Sequence, residues 1–188
     1  MRYRILYLRR RDWYGCLIAL GIALVWLGGG ACAADDTELW RRLQAGGNYV
    51  LLRHAQTEPG SGDPPDFALG NCDTQRNLSE SGRAQSHRVG ATFRAHKVPV
   101  QAVLSSEYCR CLDTAKLAFG DIEAWPMLNS IFESSAQNDA RVAALKQRLA
   151  QRPAIGNIVL VSHNVNIHAA TGVSPAMGEA VVVAPNAS

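Results

Sequence analysis

The sequence predicts an α/β domain of three layers, with a mostly parallel central sheet flanked by helices. Two short apolar runs, NYVLL at 48–52 and NIVLV at 157–161, have the uninterrupted character of strands covered on both faces. Between them lie segments with apolar residues at helical spacing, separated by Gly- or Pro-containing breaks. Such alternation sets strands side by side in one direction, with a crossover helix returning over a sheet face.

The first 33 residues form a separate unit. Arg2, Arg4, Arg9, Arg10 and Arg11 precede an uncharged apolar stretch at 13–27, and small residues then lead to Ala31-Cys32-Ala33. Basic, apolar and small segments in that order predict a secretory signal over 1–33 and leave 34–188 as the domain. An uncleaved membrane anchor is the alternative, because 13–34 carries no charge and is barely long enough to span. In either case the arginines hold the N-terminus in the cytoplasm, and the domain is expected to be periplasmic or secreted.

The full chain carries a net charge of +3, from 19 Lys and Arg against 16 Asp and Glu. Residues 1–33 hold five of those cations and one acid, Asp12, so the remainder has 14 against 15, a net of −1. The basic character belongs to the leader, and nothing in the charge favours nucleic acid as a partner. The domain retains Cys72, Cys109 and Cys111. Cys72 is expected to bridge to one of the other two, since the compartment permits disulfides. A C-x-C pair with one distant Cys has no zinc spacing, so no metal is expected.

Each element has its own signal. The first strand stops at Arg53, and residues 58–76, rich in Pro, Gly and Asp, form a loop without period. In NLSESGRAQSHRVGATFRAH, Ser79 is the expected N-cap, Val89 and Phe93 lie one turn apart, and the helix runs to about His96. Residues 100–104 (VQAVL) make a second strand, and 108–119 a second helix stopped by Gly120. Residues 138–151 align Val142, Leu145 and Leu149 on one face, and Pro153 ends that helix. The strand 157–161 follows, and 181–183 is a last short one.

Both long apolar runs end in histidine: NYVLL in Arg53-His54, NIVLV in Ser162-His163. Ligands of open parallel sheets bind beyond the carboxyl ends of the strands. If the two strands are neighbours, about 4.8 Å apart, the two imidazoles face one another at that rim. SSEYCRCLDTA follows the strand 100–104 and opens a helix, so Arg110 falls in a first turn, beside backbone N–H groups suited to anions.

Four motifs recur in one order along the chain. They are Arg53-His54-Ala55-Gln56-Thr57, then Asn77-Leu78-Ser79-Glu80-Ser81-Gly82-Arg83-Ala84-Gln85, then Ser106 to Arg110 with Thr114-Ala115, then Ser162-His163. Together they resemble the histidine phosphatase superfamily, also called phosphoglycerate mutase-like, from about residue 48 to 170. The resemblance implies that His54 is the nucleophile, taking the phosphoryl group as a phosphohistidine that water then hydrolyses. Arg53 and Arg110 would bind the phosphate dianion and disfavour imidazolium by repulsion, and His163 would hydrogen-bond a phosphoryl oxygen. Positioning and cations then suffice, with no metal and no cofactor. Glu133, in LNSIFESSAQ, stands where many members carry an acid and is the expected proton donor to the leaving group; Glu107 and Asp73 are the reserves.

Asn164 follows the second histidine, where acid phosphatases and phytases of the superfamily commonly have Asp. The chain therefore resembles the small single-domain branch, in which the acid lies earlier. NCDTQRNLS with CRC is most like exported bacterial members, some regarded as acting on lipopolysaccharide core heptose phosphates. The expected activity is that of an exported phosphomonoesterase on a small phosphate monoester, in particular a cell-envelope phosphosugar. A protein phosphohistidine phosphatase and a catalytically silent phosphate-binding module are the alternatives. Other phosphoryl-transfer signatures are missing: no G-x-x-x-x-G-K-[ST] occurs, and no Cys is followed six positions later by Arg. His87, His96 and His168 have no motif around them and are expected at the surface or at helix ends.

Overall fold

The computed structural model of the protein describes residues 3–8, 30–132 and 137–185. Six strands form one sheet in the order β1-β6-β2-β5-β3-β4, comprising β1 (Tyr3–Leu8), β2 (Tyr49–Arg53), β3 (Val100–Ser105), β4 (Glu123–Ala124), β5 (Asn157–Ser162) and β6 (Ala180–Pro185). β2, β5, β3 and β4 run parallel, and β6 is antiparallel to both β2 and β1. The expected three-layer α/β architecture is present.

Period-2 alternation in the strands divides the core in two. Val50 and Leu52 of β2, Val159 and Val161 of β5 and Val182 of β6 pack on one face. There they meet Leu39, Trp40 and Leu43 of α1 (Gly30–Ala45), Val89 and Phe93 of α2 (Glu80–Ala95) and Cys111, Ala115 and Ala118 of α3 (Cys109–Phe119). Tyr49, Leu51, Ile158, Leu160, Val181 and Val183 point the other way. They meet Leu145 and Leu149 of α4 (Asn138–Leu149) and Ile167 and Ala170 of α5 (Asn164–Thr171). A strand covered on both faces has no polar positions to spare, which is why NYVLL and NIVLV show no alternation in sequence.

Local chemistry sets the element ends. The Ser79 hydroxyl accepts from the Gly82 N–H as the N-cap of α2. Gly120 closes α3 at φ 84°, a left-handed turn that favours glycine. Gly82 is required by a close approach, because a Cβ there would overlap the backbone of Gln56 where the first turn of α2 lies on the loop after β2. At the amino end of the sheet, Asn48 Nδ2 donates to Asn157 Oδ1 at 2.9 Å, and Asn157 Nδ2 donates to the carbonyls of Leu43 and Pro99. Both amides are buried.

Several elements add to the sequence reading. α1 begins at Gly30, within the segment expected as the leader, and residues 3–8 of that segment run beside β6. Residues 9–29 lie outside the described residues. No helix among the described residues is long and apolar enough to cross a membrane. α5 follows His163 at once, and β6 extends to Ala180–Pro185 and reverses direction. His96 caps the C-terminus of α2, but its ring stacks on Trp40 with centroids 3.9 Å apart, and burial lowers its pKa. That favours the neutral ring over the charged one that a helix C-terminus attracts.

Candidate active site

β2 and β5 are adjacent and parallel, with Arg53 opposite Ser162, so His54 and His163 leave the sheet at the same level. The His54 N–H donates to the Ser162 carbonyl at 3.0 Å, and the two ring centroids stand 5.6 Å apart at 64°. Arg53, His54, Arg110 and His163 line one cavity of about 810 Å³ at the carboxyl edge of the sheet. Arg76 and Arg141 add two further cations, and Asp63 is the one carboxylate among the described lining residues. A cleft with that balance attracts anions. Residues of the loop 58–76, among them Gly60, Gly62 and Phe67, form one wall.

The motif residues outside the cavity brace those inside. The Ala55 N–H donates to Thr114 Oγ1 at 2.9 Å, and that hydroxyl donates to the Arg110 carbonyl at 2.7 Å, so the threonine of the third motif ties the turn after β2 to α3. Gln85 receives the Gln56 N–H and donates to the Met177 carbonyl, which ties the same turn to the segment before β6. Arg83 pairs with Asp113 at 3.3 Å, half-exposed and away from the cavity. The Arg53 Nη1 donates to the Pro175 carbonyl.

His54 is 4 % exposed. Its Nδ1 lies 2.9 Å from the Ala55 carbonyl oxygen. A carbonyl can only accept, so Nδ1 carries the proton and Nε2 carries the lone pair. Burial first, and then the charges of Arg110, Arg53 and Arg76, bring its pKa down to about 3, against the opposing pull of the Ala55 hydrogen bond. The ring is neutral at physiological pH.

His163 is likewise buried and held well below the usual histidine range by desolvation, His54, Arg110 and Arg53. Its Nε2 lies 3.0 Å from Ser106 Oγ. Ser106 Oγ–H donates to Asn129 Oδ1, whose Nδ2 donates to Glu107 Oε2 at 2.7 Å. Ser106 has one proton and spends it on Asn129, so His163 Nε2–H is the donor in that pair. A chain of four polar groups, buried except at Glu107, therefore fixes the ring, and Glu107, a reserve acid, is engaged in it. Cys111 Sγ stands 3.6 Å from the same Nε2, but burial pushes its thiol up to about 12, which removes it as a nucleophile.

Arg110 is the second residue of α3, 5 % exposed, with its guanidinium 4.7 Å from the Tyr108 ring centroid. Its Nη1 and Nη2 donate to Asp63 Oδ1 at 2.6 Å and Oδ2 at 3.1 Å, while Nε is buried without a partner. Cys72 bonds to Cys109 and Cys111 is free, in line with the pairing expected for Cys72. The bridge fastens the loop wall to the residue before Arg110. Asn164 lines the cavity, and its Oδ1 is buried without a partner. Glu133 lies outside the described residues, and Asp73 is exposed on the loop, absent from the lining. Asp63, Arg76, Ser106 and Asn129 are absent from the sequence reading of the site. Only Ser106 carried a signal, as the first residue of the third motif.

Two neutral histidines among guanidiniums beyond a parallel sheet make a cavity with the chemistry to hold an oxyanion beside an unprotonated imidazole nitrogen. Residues 49–131 match the model of the histidine phosphatase superfamily (branch 1). The four motifs meet in this one site, and over residues 49–131 the chain is similar to that superfamily. Among solved structures, the open reading frame Rv3214 of Mycobacterium tuberculosis is similar over 66% of this chain and 77% of its own, at 21% identity and TM-score 0.50. The protein histidine phosphatase SixA complexed with tungstate is similar over 69% and 81% at 17% identity and TM-score 0.48. A phosphoserine phosphatase mutant from Entamoeba histolytica, in complex with phosphoserine, is similar over 65% and 76% at 16% identity and TM-score 0.47. No curated protein matches the chain.

Proposed function

We propose that the protein is an exported phosphomonoesterase that works through a phosphohistidine on His54. The observation that carries this reading is the bond from His54 Nδ1 to the Ala55 carbonyl, which leaves a bare Nε2 between cations. In the first step Nε2 attacks phosphorus and the bond from phosphorus to the ester oxygen breaks, the alkoxide taking a proton from Glu133. Water then attacks the phosphohistidine, the P–N bond breaks, and the proton released returns to the carboxylate. Arg53 and Arg110 meet the charge on the equatorial oxygens, so that role needs no metal ion. His163 contributes a ring whose position Ser106 holds.

Export is supported by the leader pattern and by the Cys72–Cys109 bridge, which persists in oxidising compartments. Cleavage after Ala33 would remove β1 and leave β6 as the sheet edge. The substrate we infer is a small phosphate monoester, with a cell-envelope phosphosugar as the first candidate. One observation favours a second reading, phosphohistidine hydrolysis: the one carboxylate on the described cavity wall is committed to Arg110, and imidazole leaves without a strong acid.

The test is hydrolysis of para-nitrophenyl phosphate by the mature domain with chelator present, beside His54→Ala, followed by a phosphosugar panel and a phosphohistidine peptide. Turnover that depends on His54, with radioactive phosphate trapped on that residue by rapid acid-free quench, is the expected result. A label on another residue, or phosphate binding without turnover, would overturn the reading in favour of another nucleophile or a silent module. Poor turnover of alkyl esters by the wild type beside rapid turnover of the phosphohistidine peptide, the latter unchanged in Glu133→Gln, would select the second reading.

A further inference from the structure

Asp63 lies in a Pro- and Gly-rich loop where an acid is ordinarily a solvated side chain, yet only 16% of its side chain is exposed. Its Oδ1 accepts from Arg110 Nη1 and from the backbone N–H of Arg76 at 3.0 Å, and its Oδ2 accepts from Arg110 Nη2. A guanidinium has two forks, one across its two Nη groups and one made by Nε with the adjacent Nη. Asp63 takes the first. The second contains the Nε that is buried with no partner in an arginine 5 % exposed, and the cavity it lines is the one that holds His54 and His163. A buried donor without an acceptor is costly, and an incoming phosphoryl oxygen is an acceptor that would satisfy it.

We propose that Asp63 is a positioning residue for phosphoryl transfer: it grips the Nη fork of Arg110 so that the Nε fork is presented to the phosphoryl group. The proposal rests on the phosphatase reading above and names a device within it. Asp63 is itself anchored from behind. The Arg76 N–H holds one oxygen, Gln75 Oε1 accepts from the Cys109 N–H at 2.9 Å, and the Cys72–Cys109 bridge ties the loop to the same helical turn. The carboxylate thus belongs to the wall. It also compensates the charge of an arginine that would otherwise be buried unpaired. The competing role is a plug, in which the carboxylate occupies the place of substrate phosphate and leaves when substrate arrives. The two roles predict opposite signs on its removal.

The experiment is a double-mutant cycle on the full chain with Asp63→Asn, Arg110→Lys and the pair, read by calorimetric titration with inorganic phosphate and by kcat and KM on para-nitrophenyl phosphate. Asp63→Asn should weaken phosphate binding about tenfold and lower kcat/KM by about 10- to 100-fold. In the Arg110→Lys background, which has no fork to orient, the same change should cost less than about twofold. Asp63→Glu should recover part of the loss, because it restores the charge with displaced oxygens. Tighter phosphate binding by Asp63→Asn would overturn the proposal in favour of the plug, and losses that multiply in the pair would overturn it in favour of an independent role. If Asp63→Asn fails to fold, Asp63→Glu decides: wild-type affinity and kcat overturn the proposal, and a loss confined to the Arg110 background supports it. Phosphate binding without turnover in the wild type would sink the phosphatase reading alone, since the binding cycle still decides Asp63.

Discussion

The imidazoles of His54 and His163 stand 5.6 Å apart, centroid to centroid, and inclined by 64°. Of the two, only His54 has a proton fixed on Nδ1 by a backbone carbonyl. In the proposed mechanism the two rings therefore take different parts, His54 bonding to phosphorus and His163 framing it.

His54→Ala should lower kcat by at least about 10⁴-fold, because it removes the group that makes and breaks the bond. Phosphate affinity should change far less, since Arg53 and Arg110 remain. Steady-state kinetics and phosphate titration on the same preparation check both halves.

Ser106→Ala removes the hydroxyl that accepts from His163 Nε2–H and from the Tyr108 N–H in a buried site, leaving the ring only the weak Cys111 Sγ acceptor, while Asn129 Oδ1 keeps the Glu107 N–H. A cost of about 1–3 kcal/mol in stability is expected, with a loss in kcat larger than the rise in KM as the ring loses its fixed orientation. Denaturant unfolding and steady-state rates measure the two effects separately.

Acid should destabilise the fold through both rings. The folded pKa of His54 is about 3 and that of His163 is also depressed, against about 6.5 in the unfolded chain. Between those values the unfolded chain binds protons that the folded one refuses. Stability is therefore full above about pH 6.5 and falls as pH drops towards 3, by up to about 1.4 kcal/mol per pH unit for each ring. Denaturant midpoints from pH 7.5 to 4.5 should show a shallower slope for His54→Asn than for the wild type. The acid limb of kcat/KM should show no titration of free His54 near 6.5.

Replacing Cys72 and Cys109 by serine opens a loop closed over a separation of 37 residues. The loop-entropy relation gives about 4 kcal/mol as the upper end of the loss. Activity should fall further than stability explains, because the bridge holds the wall that carries Asp63. Thermal unfolding with and without reductant, compared with kcat at a temperature where both forms are folded, separates the two.

The layers, the parallel strands and the two histidines were legible because buried strands and helix ends leave local marks: apolar runs, a cap at Ser79, a stop at Gly120. The direction of β6 was not, since three valines say nothing about which way a strand runs. α1 was hidden because its apolar residues Leu39, Trp40 and Leu43 span little more than one turn and its first residues fall within the leader-like segment. Asp63 was invisible for a physical reason. An acid between Gly62 and Pro64 has the composition of a solvated turn, and only the folded chain brings it to an arginine 47 positions later.

The amide pair of Asn48 and Asn157 has a consequence at the opposite end of the molecule. Asn157 begins β5 and Asn48 stands just before β2, each histidine follows its strand's last residue, and the same count of positions separates them, so the amides gauge how far both chains travel before their rings surface. Slippage by a single notch there would turn alternate side chains inside out and strand one imidazole on the wrong flank. Fidelity of the chemistry is thus underwritten about 20 Å away, where nothing reacts.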